Sequence, residues 1–323
     1  MGSKETTDEL PMPGNWTRDV QKIFNDLYKI IIDSENHAYG VTRQDIIDQL
    51  DSLIMKSKKI AAIDSDVNYE RKGLVFDPVL ENFIAGSGGH ISDWDKEKDT
   101  TSDLVIRGLS TSSARAIKHC WETGRTFYAV DTGYFGNVKT KYYHRITKNN
   151  LQHLGPIIER PLDRVSKIGW RFRKFTPGSK ILICPPSEKV MNLFDQDLET
   201  WVNSTVETIS AHTDRPIEIR LKPTREERTT TNTIEQALSD DVHCLVTYNS
   251  IAATEALLLG KPAFTLGPNA AHSLCLSDLS LIEEPKIPAR EEVENFVAHL
   301  SYCQFTLEEM KSGFAWKTIH ESE

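Results

Sequence analysis

A strand, a polar turn and a helix follow one another in the C-terminal half of the chain and carry its clearest chemical signal. The apolar run 243–247 predicts a buried strand, Tyr248-Asn249-Ser250 predicts the turn, and residues 251–259 predict the helix. The first N–H groups of such a helix point at the turn without partners inside the helix. Together with the helix dipole and the Ser250 hydroxyl, these donors favour a bound phosphate.

Residues around this turn form a predicted nucleotide-binding set. Glu255, one helical turn past Ser250, can reach the ribose hydroxyl of a nucleotide bound at this turn. Arg220 lies near the end of the predicted strand 217–221, and Lys222 directly follows the strand and can neutralise a phosphate as a point charge. Simple N-capping by Ser250 is the alternative, but the complete strand, turn and helix favour the phosphate site. The set is Arg220, Lys222, Thr247, Tyr248, Asn249, Ser250 and Glu255.

Asp131 is the candidate catalytic residue. It ends the β-type run 126–130 and precedes Thr132-Gly133. A carboxylate at such an edge can attack an electrophilic carbon or take a proton from a hydroxyl. The alternative is a structural aspartate that bonds the turn.

A second acidic pattern, Asp64-Ser65-Asp66, follows the apolar run 60–63. Two carboxylates at this spacing can chelate Mn²⁺ or Mg²⁺ beside a nucleotide diphosphate. Acidic triplets also arise often by chance, and a turn or an acceptor-side role is the favoured interpretation. We therefore predict catalysis without a metal ion or any other cofactor.

Alternating strands and helices predict an α/β fold. Apolar runs at 104–106 and 126–130 flank a helical stretch at 112–121, and a second series starts with the strand 180–184. Parallel units of this kind bind ligands at the carboxyl ends of their strands, where Asp131 and Ser250 both stand. The pattern predicts two Rossmann-like domains that face a cleft.

Four segments follow from the same pattern. Apolar residues at helical spacing predict an N-terminal helical appendage, and the last segment is predicted to be helical over residues 291–310. The boundaries are 1–58 for the appendage, 59–178 for the first Rossmann-like domain, which carries the positive charge, 179–290 for the second, which carries the predicted nucleotide-binding set, and 291–323 for a C-terminal helical tail.

Positive charge is concentrated in residues 139–180, here called the basic belt. The belt holds eleven Lys and Arg against Glu159 and Asp163, although the whole chain carries −9. Interleaved aromatics give the mixture that grips phosphates and stacks on bases. The alternative is that the aromatics fill a core and the cations are solvated. The predicted acceptor-binding residues are Lys139, Lys141, Arg145, Arg171 and Arg173.

The composition limits the possible size of the core, the membrane topology and the chemistry of the cysteines. A chain of 323 residues with 39% hydrophobic and 26% charged residues can bury a sizeable core, and no segment is long and apolar enough to span a bilayer. The five cysteines lack the paired spacing of a zinc or redox motif, so we predict reduced, mostly buried thiols. We expect a cytoplasmic protein, in the host cytoplasm if the chain is viral.

The chain resembles the capsular-polysaccharide transferases of GT-B fold, including the bacterial β-Kdo transferases. The matching residues are 247–255, with Gly260-Lys261-Pro262, and an acidic motif at residues 130–135; Lys222-Pro223 stands where the family has His-Pro. The resemblance implies a glycosyltransferase that uses a nucleotide-sugar donor. It also implies that Asp131 is a nucleophile with retained configuration, whereas an inverting enzyme would use it as a base.

The basic belt indicates which kind of acceptor molecule could receive the sugar. A transferase that acts on a hydroxymethylated base in viral double-stranded DNA must extrude that base, so cations beside the active site would grip the backbone. An anionic glycan, as in surface or capsular polysaccharide synthesis, is the alternative acceptor. A non-catalytic nucleotide- or nucleic-acid-binding protein is the alternative from a different class.

Overall fold

The computed structural model describes residues 67–70, 77–92, 98–137, 142–176, 178–222, 233–238 and 241–321, with the backbone alone for the first range. The predicted helical appendage, the triplet Asp64-Ser65-Asp66 and the belt residues Lys139 and Lys141 lie outside these ranges. Within them, the chain is a mixed α/β protein with two sheets. No helix in the described ranges is long and apolar enough to cross a bilayer.

The first sheet has six strands in the described residues, in the order β10-β5-β4-β3-β1-β2. Strands β1 to β4 are mutually parallel, whereas β5 runs antiparallel to both β4 and β10. The strands are β1 (Val67–Glu70), β2 (His90–Ser92), β3 (Asp103–Arg107), β4 (Phe127–Thr132), β5 (His144–Lys148) and β10 (Gln304–Phe305).

Two capped helices cover this sheet. Helix α1 (Pro78–Ser87) starts at Asp77, whose carboxylate accepts from the Val79 N–H at 3.0 Å. Helix α2 (Thr111–Thr123) starts at Ser110 in a capping box and ends at Gly124, whose φ of 70° is a left-handed conformation that favours glycine. The predicted strands at 104–106 and 126–130 and the helix between them are confirmed by β3, β4 and α2.

The second sheet is parallel throughout, in the order β7-β6-β8-β9. Its strands are β6 (Lys180–Ile183), β7 (Ile217–Ile219), β8 (Val242–Thr247) and β9 (Ala263–Thr265). Every residue of β8 is buried, as expected for a central strand with helices on both faces. The helices before β9 are α3 (Asp163–Ile168), α4 (Glu188–Leu193), α5 (Leu198–Ser210), α6 (Ile234–Ala237) and α7 (Ala252–Leu258).

The C-terminal residues return to the first sheet. Helix α8 (Arg290–Ser301) ends before the short strand β10, and α9 (Leu307–Lys311) and α10 (Phe314–Glu321) follow. The predicted continuous helix over 291–310 is therefore wrong, because Gln304 and Phe305 pair with β5 instead. Helix α9 packs so tightly on α1 that a Cβ on Gly86 would lie 1.8 Å from the Met310 carbonyl oxygen.

A largely buried ion pair holds the C-terminal residues in place. Arg164 of α3 donates to both carboxylate oxygens of Glu309, and its Nη2 and Nε also reach the carbonyls of Gln304 and Ser301, each at 2.7 Å. The two side chains are only 8% and 28% exposed. Arg164, a cation of the basic belt, is thus an internal clamp on the C-terminal residues.

Glu309→Gln should lower the free energy of unfolding by about 3 kcal/mol, because it leaves the Arg164 charge buried without its counter-ion. Urea denaturation measures the change. Glu294→Gln is the control, since Glu294 pairs with the exposed Arg290 and should change stability by less than about 0.5 kcal/mol. Equal effects of the two substitutions would contradict the clamp.

Candidate active site

Asp131 lies at the carboxyl end of β4, directly opposite Arg145 of β5 in the antiparallel register. Arg145 Nη2 donates to Asp131 Oδ2 at 3.1 Å, and the Thr132 N–H donates to Oδ1 at 2.7 Å. Arg107, at the end of β3, places Nη1 3.7 Å from Oδ1. The aspartate side chain remains 48% exposed, so an ionised carboxylate meets solvent at this edge.

Two opposing effects set the charge of Asp131. Burial raises the pKa of the carboxyl, but Arg145, the Thr132 N–H, Arg107 and Lys222 together outweigh it and hold the pKa below its ordinary value. Asp131 is therefore a carboxylate at neutral pH. The hydrogen bond from the Thr132 N–H, which a purely structural aspartate would also accept, is present. Asp131 therefore stabilises the turn and still exposes part of its carboxylate to solvent.

Arg145 faces the protein interior. It is 8% exposed, its Nε donates to the Leu151 carbonyl at 3.1 Å, and its Nη1 donates to the Thr132 carbonyl. These bonds leave no solvent-facing guanidinium for the polyanion contact predicted from sequence, because β5 turns the side chain toward Asp131. Sequence patterning missed this role, since β5 itself was not predicted.

The turn after β8 is fixed by its own hydrogen bonds. Thr247 Oγ1 donates to the Cys184 carbonyl at 2.5 Å and accepts from the Ser250 N–H at 3.3 Å. Ser250 Oγ accepts from the Ala252 N–H at 3.3 Å, but the N-cap residue of α7 is Ile251, so Ser250 does not cap the helix as the alternative interpretation expects. Asn269 Nδ2 donates to the Ser250 carbonyl at 2.9 Å. The turn is rigid before any ligand arrives.

Tyr248 belongs to the core. Its ring makes edge contacts with Phe194 and Trp201, and a Cβ on Gly267 would lie 2.6 Å from the ring. Burial raises the pKa of its hydroxyl. The turn directs this side chain against Phe194 and Trp201, and the nucleotide contact at Tyr248 stays a prediction.

Gln152 joins the two sheets at the site. The side chain is 4% exposed, its Nε2 donates to the Asn249 carbonyl, and its Oε1 accepts from the Ala270 N–H at 3.1 Å. Asp131, Arg145, Gln152 and Asn249 line one cavity of about 70 Å³, with apolar residues on the remaining wall. Asp131 and the turn after β8, far apart in sequence, thus share a cavity.

Glu255 stands at the carboxyl ends of β6 to β8 and has the opposite electrostatic environment. Burial raises its pKa to about 7, although Arg220 and Lys222 partly oppose this. The exposed Lys222 lowers the pKa of both Glu255 and Asp131, so its charge acts on both carboxyl groups. The edge therefore holds one ionised carboxylate, one carboxyl near its midpoint at neutral pH and one cation, Lys222, that acts on both.

The later part of the basic belt, residues 169–176, connects α3 to β6 and packs on α7. Trp170 Nε1 donates to the Leu258 carbonyl at 3.2 Å, and Phe172 and Phe175 pack against the same core. Lys261, 1% exposed, donates to the Thr176 carbonyl at 3.3 Å. These aromatics fill a core, as the alternative interpretation of the belt proposes.

The predicted acceptor-binding cations do not form one surface among the described residues. Arg171 and Arg173 are exposed on the connector, and Arg173 Nη2 lies 3.4 Å from Glu235 Oε1. Arg145 is buried beside Asp131. Neither Arg107 nor Gln152 was predicted from the sequence. Arg107 could have been, because it is a cation at the end of β3, the strand next to that of Asp131.

Comparison with known proteins gives distant similarities. No protein-family model matches the chain, and no curated protein matches it. Among solved structures, the chain is similar to the β-Kdo 2,4 transferase of Thermosulfurimonas dismutans KpsC, with a TM-score of 0.44, 15% identity and coverage of 74% of this chain and 90% of that one. The β-Kdo 2,7 transferase of the same KpsC gives 0.43, 12%, 80% and 100%. Similarity at this level assigns no function.

Asp131 should titrate below the ordinary aspartate range, and Arg145→Met should raise its pKa, because burial then acts without its nearest cation. Carboxyl ¹³C NMR measures both values. A depressed folded pKa stabilises the protein above the unfolded value of about 3.9 and loses this contribution as the pH falls through the folded pKa. Arg171→Met is the control, and a wild-type pKa at or above the ordinary value would refute the assignment.

Glu255→Gln should raise the free energy of unfolding by roughly 2–3 kcal/mol at pH 8. The folded pKa of about 7 lies above the unfolded value, so the native protein loses stability as the pH rises through 7, and the amide does not. Urea denaturation from pH 4 to 8 measures the difference, which should vanish at pH 4. Glu207→Gln, at an exposed position of α5, is the matched control; the same pH-dependent gain there would contradict the interpretation.

Proposed function

We propose that this protein is a glycosyltransferase that moves a sugar from a nucleotide-sugar donor to a hydroxyl of a glycan. One observation carries the proposal: two carboxyl groups with opposite pKa shifts, Asp131 and Glu255, stand at the carboxyl ends of two separate α/β sheets, with the charge of Lys222 acting on both. Paired groups whose environments separate their pKa values are typical of acid–base and nucleophilic sites.

The two sheets are proposed to be the two lobes of a GT-B enzyme. Carboxyl ends of parallel strands are the usual ligand edge of such sheets, and Gln152 brings the edges of the two sheets together. The proposed domains keep the sequence-based boundaries, residues 59–178 on the acceptor side and 179–290 on the donor side, with 1–58 as the appendage and 291–323 as the tail.

The donor nucleotide is proposed to lie over β6 to β8. Arg220 and Lys222 supply positive charge for its phosphates, beside Asn249 and Ser250 of the turn. These cations supply the charge compensation that a divalent ion would give, so the proposed reaction needs no metal. A Glu255 carboxyl near half protonation can both donate to and accept from a ribose hydroxyl, and it repels the phosphates less than a full charge would.

Asp131 is proposed to act as the nucleophile. One carboxylate oxygen attacks the anomeric carbon, the bond to the leaving phosphate breaks with its electron pair, and the acceptor hydroxyl then displaces Asp131 as its proton is lost. A general base must hold the proton it takes, which a depressed pKa opposes. The low pKa of Asp131 therefore favours the nucleophile and retained configuration.

A glycan acceptor fits the described surface better than DNA. A DNA-modifying enzyme needs a continuous cationic surface beside its site, whereas Arg145 and Arg164 of the basic belt are 8% and 7% exposed and each pairs with a carboxylate. The aromatics at 170–175 pack on α7. We propose an acceptor of the kind found in surface or capsular polysaccharides.

A panel of nucleotide sugars, assayed for nucleotide release with glycan acceptors, tests the function. Wild-type protein should consume one donor without added Mg²⁺ or Mn²⁺, and Asp131→Asn should lower kcat at least about 1,000-fold, because the amide is no nucleophile. Asp214→Asn, at an exposed position, is the matched control.

Three outcomes would contradict parts of the proposal. Nucleotide binding without consumption of any donor would indicate a binding protein. Full activity of Asp131→Asn would remove the proposed nucleophile. Transfer to hydroxymethylated duplex DNA in place of every glycan would overturn the acceptor.

A further inference from the structure

Two histidines and a cysteine converge beside the proposed active site. His299 Nε2 lies 2.9 Å from His153 Nε2 and 3.5 Å from Cys303 Sγ. One donor atom from each of the three side chains lies within 4.8 Å of the others. No sequence motif indicates this cluster, because the strands of the second sheet lie between His153 and the other two residues along the chain.

Separate elements supply the three side chains. His299 lies in the last turn of α8, and Cys303 comes four residues later, after the helix ends at Tyr302. His153 belongs to the segment after β5, and its N–H donates to the Tyr134 hydroxyl at 2.8 Å. The cluster therefore joins the segment after β5 to α8 and to the start of β10.

The distances fit a tetrahedral metal ion. Zinc binds imidazole nitrogen at about 2.0–2.1 Å and thiolate sulfur at about 2.3 Å, which separates two nitrogens by about 3.3 Å and a nitrogen from a sulfur by about 3.6 Å. The observed 3.5 Å between His299 and Cys303 matches, and the two imidazoles need to separate by only a few tenths of an ångström. Two imidazoles with one thiolate are a donor set that zinc prefers.

Metal binding requires one tautomeric change. His299 Nδ1 accepts from the Ile158 N–H at 3.2 Å, which places the ring proton on Nε2. Ligation through Nε2 moves that proton to Nδ1, where it would face the Ile158 N–H, so this hydrogen bond is lost and the imidazole must turn away from that donor. The lost bond and the unpaired donor together cost less than a structural zinc ion contributes on binding.

We propose that His153, His299 and Cys303 bind a zinc ion, with water as the fourth ligand. The ion would fix the segment that carries Gln152, the residue directly before His153, and so hold the bridge between Gln152 and Asn249 in place. The role is structural and separate from sugar transfer, so it does not depend on the proposed function.

Cobalt titration of the full chain, stripped with a chelator, tests the site. Wild-type protein should bind one Co²⁺ with the visible bands of tetrahedral cobalt and a thiolate charge-transfer band, and one equivalent of Zn²⁺ should erase both. Cys303→Ser should lose the charge-transfer band. His153→Ala should weaken binding at least about tenfold, since losing a ligand exceeds the effect of losing an outer partner.

Controls separate a metal site from a hydrogen-bonded imidazole pair. His212→Ala, at an exposed position on the second sheet side, should leave the cobalt spectrum unchanged. Should Cys303→Ser unfold by far-UV circular dichroism, His153→Ala carries the test alone. The proposal is overturned if excess Co²⁺ gives no charge-transfer band with the wild-type protein, if that band survives in folded Cys303→Ser, or if His153→Ala binds as tightly as wild type.

Discussion

Arg145 reaches across the antiparallel pair β4 and β5 and bonds Asp131 in direct register. That pair organises the candidate site, because the same guanidinium also ties down Leu151 and Thr132 on either side. The residue after Leu151 is Gln152, which extends this fixed stretch to the turn after β8. A single cross-strand ion pair thus orients a carboxylate and begins the chain of contacts that reaches the second sheet.

Burial and charge act differently on the two carboxyl groups of the site. At Asp131, arginines at hydrogen-bonding and near-contact distance outweigh desolvation. At Glu255, desolvation dominates over the charges of Arg220 and Lys222. The geometry of the sheets explains the contrast, since β4 has arginine-bearing strands on both sides, whereas Glu255 projects from a helix whose remaining residues are largely buried.

Local patterns in the sequence predicted the parallel strands β3, β4, β6, β7, β8 and β9, but not β1 and β2. Apolar runs ending in polar residues gave β3, β4, β6, β8 and β9, and with them the positions of Asp131 and Ser250 at strand ends. The antiparallel strands β5 and β10 were not predicted, because β5 carries Arg145 and Lys148 and reads as part of a charged segment. Its partner β10 is only two residues long and pairs across about half of the chain.

Dependence on contacts between distant parts of the chain also explains why some site residues were not predicted from the sequence. Gln152 and Arg145 take their roles from contacts that only the folded chain creates, and spacing along the chain carries no trace of them. Gly260-Lys261-Pro262, which follows the predicted nucleotide-binding helix in the family resemblance, is a structural motif here, because Lys261 is buried against Thr176. A motif can mark a fold without contacting a ligand.

The return of the C-terminal residues to the first sheet has a consequence for synthesis on the ribosome. Strand β5 is complete at residue 148, but its neighbour β10 is made only after another 155 residues have followed. Until then the backbone edge of β5 is open, and the face of α1 that receives α9 is uncovered. Nascent chains therefore expose a pairing edge for the whole translation of the second sheet, when chaperone protection matters most.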